Sequence, residues 1–191
     1  MVRSSLPPEV LLTAPVTVDT LKNLAAGQEV IISGQIYAAR DQAHRNLQAL
    51  IEAGEKLPFD LEGQIIYYMG PSPPPPGRVI GAAGPTTSGR MDHLTEPLLA
   101  RGLKVMIGKG RRGAQVRADM LKYGAVYLAA VGGAGAFYGQ CVKAVETLAW
   151  PELGPEALLR LTVEDMPSVV INDLAGSDLY DSGPAAWRQT V

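Results

Sequence analysis

Gly84-Pro85-Thr86-Thr87-Ser88-Gly89-Arg90-Met91-Asp92 crowds three hydroxyls and a guanidinium into one tight turn, just ahead of a helical pattern. Glycine tolerates positive φ and proline locks its own, so together they fix the backbone of such a loop. Three successive Ser/Thr side chains build a poor core but hydrogen-bond an anion well. Arg90 adds a planar fork that grips a carboxylate or phosphate through two parallel bonds. If Met91 opens a helix, the free N–H groups of its first turn add further donors. The plainer alternative is a capped turn, but a cap needs one hydroxyl and no arginine.

Three other segments follow apparent strand ends. In Ala38-Ala39-Arg40-Asp41-Gln42-Ala43-His44-Arg45 a guanidinium and an imidazole lie four residues apart, on one face once a helix has begun. Such a pair would bind an anion and move a proton. The rival reading makes His44 a helix-surface residue and leaves Arg40 and Arg45 solvated. Gly108-Lys109-Gly110-Arg111-Arg112-Gly113 sets a point charge between two glycines without the spacing of a P-loop. Lys109 then faces a substrate anion, while Arg111 and Arg112 face solvent. Val131-Gly132-Gly133-Ala134-Gly135 matches a dinucleotide fingerprint poorly and reads as close packing or substrate shaping. Arg40, Arg90 and Lys109 thus place three cations at consecutive strand exits, a number that suits a small substrate with two carboxylates. These residues specify an anion site with a potential base, not a reaction.

Positioning these groups requires alternating strands and helices. Val10–Val18 reads as extended, Asp19–Ala26 as a short helix closed by Gly27, and Glu29–Ala38 as a buried β-branched strand. A helix follows from about Arg40 to Gly54, then a strand over Gln64–Met69 and a stiff polyproline loop, Pro71–Gly77. Strand Val79–Ala83 leads into the hydroxyl-rich loop, and Pro97 kinks or limits the helix expected over Asp92–Ala100. Strand Lys104–Gly108, helix Gln115–Tyr123 and strand Ala125–Val131 follow, with later strands near Ala144–Ala149, Leu159–Val163 and Val169–Asn172. This alternation predicts an α/β fold with a mixed, largely parallel sheet and helices on both faces. Ligands collect in such sheets where loops leave the carboxyl ends of strands.

The 191 residues suit a single domain over 1–191, with about 173–191 a polar, Gly-rich tail that frays or docks on a partner. A net charge of −2 without a basic stripe argues against nucleic acid as a partner. No apolar run approaches the roughly 20 residues needed to span a bilayer. Met1–Pro8 lacks the apolar centre of a secretory signal, so the cytoplasm is the expected location. One cysteine, Cys141, permits neither an internal disulfide nor a thiolate metal site made by this chain alone.

Together, Ser33–His44, Gly84–Asp92, Gly108-Lys109-Gly110, Val131–Ala134, Trp150–Ala157 and Val163–Pro167 resemble, in order, the β subunit or C-terminal region of the iron–sulfur hydro-lyases of the class I fumarase and L-tartrate dehydratase family. The Gly84–Met91 loop is the specific part of that resemblance; the glycine runs add little. The resemblance implies a swivelling β/α/β-type domain that completes an active site with a separate α subunit, as a heterodimer or heterotetramer. That α chain supplies three cysteines to a 4Fe–4S cluster whose open iron acts as a Lewis acid, so this chain binds no metal itself. It further implies that Arg40, Arg90 and Lys109 clamp a dicarboxylate, with Thr86, Thr87 and Ser88 beside it. Thr86 matches the proposed base for the C3 proton and His44 its rival; a threonine base needs a cation such as Lys109 or Arg90 nearby. Gly89 after Ser88 fits the fumarase version of the loop, so reversible hydration of fumarate to L-malate leads. L-tartrate or mesaconate hydro-lyases are alternatives, as are a non-catalytic dicarboxylate-binding subunit and, third, a nucleotide-binding protein. Isolated, the chain would self-associate through the surface meant for its partner.

Overall fold

The computed structural model describes residues 9–188; Met1–Pro8, read above as lacking a signal, and the last three residues of the expected tail lie outside the described residues. The chain runs β1 (Val10–Leu12), α1 (Val18–Leu21), β2 (Glu29–Ala38), α2 (Asp41–Glu52), β3 (Ile65–Tyr67), α3 (Asp92–Ala100), β4 (Val105–Gly108), α4 (Ala114–Tyr123), β5 (Val126–Ala129), α5 (Gly135–Cys141), β6 (Val142–Ala149), β7 (Leu158–Asn172) and α6 (Leu179–Trp187). Strands β1 to β5 pair in parallel, in chain order. Long β7 runs antiparallel to β5 on one side and to β2 on the other, so β2, β3, β4, β5 and β7 close into a five-stranded barrel. The sheet is mixed, as the sequence predicts. Instead of lying open between two helical layers, it curls until its inner face packs on itself.

Strict alternation along the strands sorts the core. Ile65, Tyr67, Val105, Ile107, Val126 and Leu128 point inward into one cluster with Ile32, Ile36, Leu161 and Val170. Their neighbours Ile66, Tyr68, Met106 and Tyr127 point outward, under a second cluster built with α2, α3 and α4. A period of two on a closed sheet therefore gives two separate apolar cores from the same short strands. α3 passes through Pro97 without ending there.

Three expectations are corrected. Val79–Ala83 forms no strand; Ala82 and Ala83 bond instead to the Ser72 backbone and to Gly135. Leu159–Val163 and Val169–Asn172 are parts of one strand, β7, because Glu164-Asp165 forms a bulge (Asp165 has φ of 50°) rather than a turn. The polar stretch from Asp173 is anchored: the Asp173 carboxylate accepts from the Ala26, Ala175 and Ser177 amides, and Asp178 caps α6.

The glycine run before α5 proves to be a packing surface. A Cβ on Gly135 would sit 3.0 Å from the Gly84 nitrogen, and one on Gly139 only 2.3 Å from the Gly81 carbonyl oxygen. Spaced one turn apart, these glycines let α5 lie directly on the backbone leading into the hydroxyl-rich loop. Gly139→Ala is expected to lower stability by about 1–3 kcal/mol through overpacking against immovable backbone. Gly183→Ala in α6, where beyond its chain neighbours a Cβ would come no closer than 3.7 Å, to Leu179, should change it by less than about 1 kcal/mol. Urea unfolding of the two variants provides the check, and an unchanged midpoint for Gly139→Ala would refute the close approach.

Candidate functional site

Four neighbouring parallel strands end side by side, and several residues singled out above lie just beyond those ends, together with two that were not, Tyr68 and Gly70. Arg40 and His44 follow β2, Tyr68 and Gly70 follow β3, Lys109 follows β4, and Gly132 follows β5. The hydroxyl-rich loop is stitched between the exits of β3 and β4. The Thr86 amide donates to the Tyr68 carbonyl at 2.7 Å, Lys109 N to the Thr86 carbonyl at 3.1 Å, and Ser88 N to the Lys109 carbonyl at 2.8 Å. Gly108 makes room for it: a Cβ there would meet the Ser88 hydroxyl at 2.1 Å and the Thr86 carbonyl at 3.2 Å.

Within this loop the three hydroxyls have different surroundings. Ser88 is buried and lies 2.8 Å from the Tyr127 hydroxyl. Tyr127 itself donates to the Gly110 carbonyl at 2.9 Å, so Ser88 is the donor in that pair. Burial raises the Tyr127 pKa, which keeps the phenol protonated. Ser88 thus anchors the loop instead of facing outward. Thr86 is half-buried and Thr87 exposed, and among the described residues neither hydroxyl has a hydrogen-bond partner. Thr87 precedes the 3₁₀ turn Ser88–Met91 without a side-chain cap bond, so the plain capped turn is not what forms here.

Arg40 and Arg90 come together on one carboxylate. Arg90 reaches Asp41 through Nε and Nη2, each 2.8 Å from a different oxygen. Arg40 Nε lies 3.4 Å from the same group. Arg40 is held from two further sides: Nη2 donates to Glu156 Oε1 at 2.8 Å, and its stem lies against Gly70, where a Cβ would sit 3.0 Å from Cδ. The second Glu156 oxygen accepts from the Gln42 amide in the first turn of α2, a carboxylate cap delivered from the far end of the chain. Burial pushes the Asp41 carboxyl up, but its own backbone N–H and then the two guanidinium groups outweigh this and hold it below the usual range. Lys109 is exposed, has no ion-pair partner among the described residues, and runs beside Gly132.

His44 is fully buried, not a surface residue. Its Nδ1 lies 3.1 Å from the Arg40 carbonyl, which fixes the proton on that nitrogen, and its ring meets Tyr68 edge-on at 5.1 Å. Nε2 is buried without a partner. Burial first, then the nearby Arg112 charge, pulls the imidazole down to about 4, against the hydrogen bond it donates to the Arg40 carbonyl, which raises it. The ring is neutral at pH 7.

Arg112 corrects the sequence reading outright. Expected in solvent, its side chain has 0% exposure and is fixed by Asp92 at 2.7 Å, Thr95 at 2.8 Å and Tyr68 at 3.2 Å, between the rings of Tyr68 and Tyr127. Arg111 does face outward, toward Asp181 and the Tyr180 carbonyl. Asp41, Glu156, Tyr68 and Asp92 were also missed. Acidic residues beside arginines were the available signal; the tyrosines, inside strand patterns, gave none. Cys141 is buried against the Phe137 and Asp165 carbonyls, and the described residues hold no group of three metal-ligating side chains.

Residues 4–183 match the family described as "Fumarase C-terminus". The chain is 40% identical over 151 residues to the anaerobic class I fumarate hydratase of Escherichia coli, covering 78% of this chain and 28% of that protein. It is 37% identical over 162 residues to fumarate hydratase 2 of Leishmania major, covering 84% and 28%. Against the putative L(+)-tartrate dehydratase subunit beta of Methanocaldococcus jannaschii it is 37% identical over 167 residues, covering 84% of this chain and 86% of the relative. The chain therefore spans between 26% and 34% of these fumarate hydratases, but 86% of the putative tartrate dehydratase β subunit.

Two outcomes follow from the buried groups. Because an unfolded histidine titrates near 6.5 and His44 near 4, the unfolded state takes up the proton first as pH falls. Stability contributed by neutral His44 is present above about 6.5 and is lost toward about 4, with about 2 kcal/mol gone between pH 7 and pH 5. His44→Leu should flatten that part of the unfolding profile, and an unchanged slope would exclude the buried neutral ring. Arg112→Met should cost about 3–5 kcal/mol by stranding its partners, whereas Arg111→Met stays near wild type; equal costs in denaturant titrations would contradict this placement.

Proposed function

The chain belongs to the fumarase C-terminus family, and on that premise we propose that it is the β subunit of a fumarate hydratase, hydrating fumarate reversibly to L-malate with a companion α chain. The observation that carries this reading is the convergence of Arg40 and Arg90 on one carboxylate, beside a loop whose threonine hydroxyls are unpaired. Two guanidinium groups that already share an internal carboxylate are spaced to grip an external one, and Lys109 adds the charge for the second end of a dicarboxylate. Coverage of nearly a full-length β subunit supports the two-chain arrangement.

In this reading the barrel is the swivelling β/α/β-type domain, residues 1–191 form one unit, and the complex is a cytoplasmic heterodimer or heterotetramer. The 4Fe–4S cluster resides on the companion chain. Residues of this chain act on the carboxylates and on the C3 proton. Loss of that proton builds negative charge on the adjacent carboxylate, where the Arg90 fork stabilises it more strongly than in the ground state. Thr86 is read as the base: it is half-buried and its backbone carbonyl accepts from the Lys109 amide, so the lysine whose charge would favour the alkoxide belongs to the adjoining strand exit. His44, sealed behind the Arg40 carbonyl with a depressed pKa, is read as a buried support for Arg40. Ser88 anchors the loop that presents Thr86 and Thr87.

Reconstituted with its companion chain, the wild-type protein should turn over fumarate in preference to L-tartrate or mesaconate. Arg90→Met should lower kcat/KM at least about 100-fold while leaving the fold intact; near-normal turnover would refute the clamp. Thr86→Ala should abolish deuterium exchange at C3 of malate, and His44→Asn should retain it. The reverse pattern would make His44 the base. Binding of L-malate without turnover, in a complex with an intact cluster, would favour the non-catalytic alternative.

A further inference from the structure

A guanidinium offers two edges to a carboxylate, the side edge of Nε and one Nη and the end edge of both Nη atoms. Asp41 meets the side edge of Arg90: Nε donates to Oδ1 at 2.8 Å, and Nη2 lies 2.8 Å from Oδ2 as an ion-pair contact without hydrogen-bond geometry. That leaves both Nη groups without a hydrogen bond to Asp41. The arginine is half-exposed, whereas the aspartate side chain is only 13% exposed and belongs to the first turn of a helix. The mobile partner is therefore oriented by the fixed one. Asp41 is itself fixed by its surroundings: it faces Arg40 Nε at 3.4 Å, and Arg40 is pinned by Glu156 and by the close approach at Gly70. The contacts run in one direction, from Glu156 through Arg40 to Asp41 and outward to Arg90.

We propose that Asp41 is a positioning residue for substrate recognition, holding Arg90 side-on so that its end edge is presented to the substrate carboxylate. This rests on the dicarboxylate reading given above and assigns the element that makes Arg90 directional. A long arginine side chain at an exposed position otherwise samples many rotamers, and small misplacements of a charge-stabilising fork cost rate steeply. The opposite role is also chemically coherent: an internal carboxylate that competes with the substrate for Arg90. The two roles differ in sign, because removing a competitor lowers KM and removing a positioner raises it.

The test uses the reconstituted complex and the isosteric Asp41→Asn. It is expected to lower kcat/KM for fumarate at least about tenfold, with KM rising. In an Arg90→Lys background, where no second edge remains to be aimed, the same change should cost less than about threefold. Equal losses in both backgrounds, a lower KM, or an effect under twofold would overturn the proposal. A second readout is independent of turnover: the Arg90 Nε–Hε resonance of the full 191-residue chain. In the wild type it should exchange slowly and shift on adding L-malate; in Asp41→Asn it should behave as a free arginine and stay put. If the wild-type complex fails to hydrate fumarate, the functional reading falls on that result. The resonance then decides the role of Asp41, since a freely exchanging wild-type signal excludes it.

Discussion

A buried cation sits beneath the active face and dictates much of what surrounds it. Arg112 carries five donors into a dry space between two tyrosine rings, and each must find an acceptor. Asp92, Thr95, Tyr68 and the Met106 sulfur accept from four of them. The second Asp92 oxygen then accepts from the Gly113 amide at 2.7 Å. One ion pair thereby locks the start of α3 to the loop after β4, the two backbone segments that display Arg90 and Lys109. Removing one partner would leave a charge with nowhere to go, so the geometry above it is fixed by the energetics below it.

Barrel closure supplies the other constraint. Parallel strands β2 to β5 deliver their carboxyl ends to one rim, and β7 closes the ring, the turn before it bringing Glu156 to that rim beside Arg40. Outward-pointing Tyr68 and Tyr127 reach from the strands into the helical layer, and there they meet Arg112 and Ser88. Residues that look like ordinary strand positions therefore do double service, packing the outer core and tethering the polar loops.

How far the sequence could be read follows from this division. Glu29–Ala38 and α2 were legible because β-branched runs and 3.6-residue stripes report local structure. Arg40 and Lys109 were legible because each follows a strand end, whereas Arg90 was legible only from its own loop, since the strand expected before it does not form. Barrel closure was not, since no local pattern tells a curled sheet from an open one. Asp165 hid a continuous β7, because the bulge there breaks the apolar pattern into two apparent strands. Arg112 was assigned to solvent because a charge in a Gly-rich loop normally lies there; only tertiary contacts from Tyr68, Asp92 and Thr95 reveal otherwise. Ser88 looked equivalent to Thr86 and Thr87 until Tyr127, thirty-nine positions away, claimed its hydroxyl. Long-range polar partnerships were the systematic blind spot.

Glu156 grips Arg40 across 116 positions of sequence, and β7 pairs with β2 over a comparable span. Such distant pairings form late, because the entropy of closing so long a loop must be met before any contact repays it. A nascent polypeptide that has emerged only as far as β5 already holds every cation of the rim, yet lacks the acidic brace that orders the first of them. Order around Arg40 therefore arises only after the segment carrying Glu156 has been made.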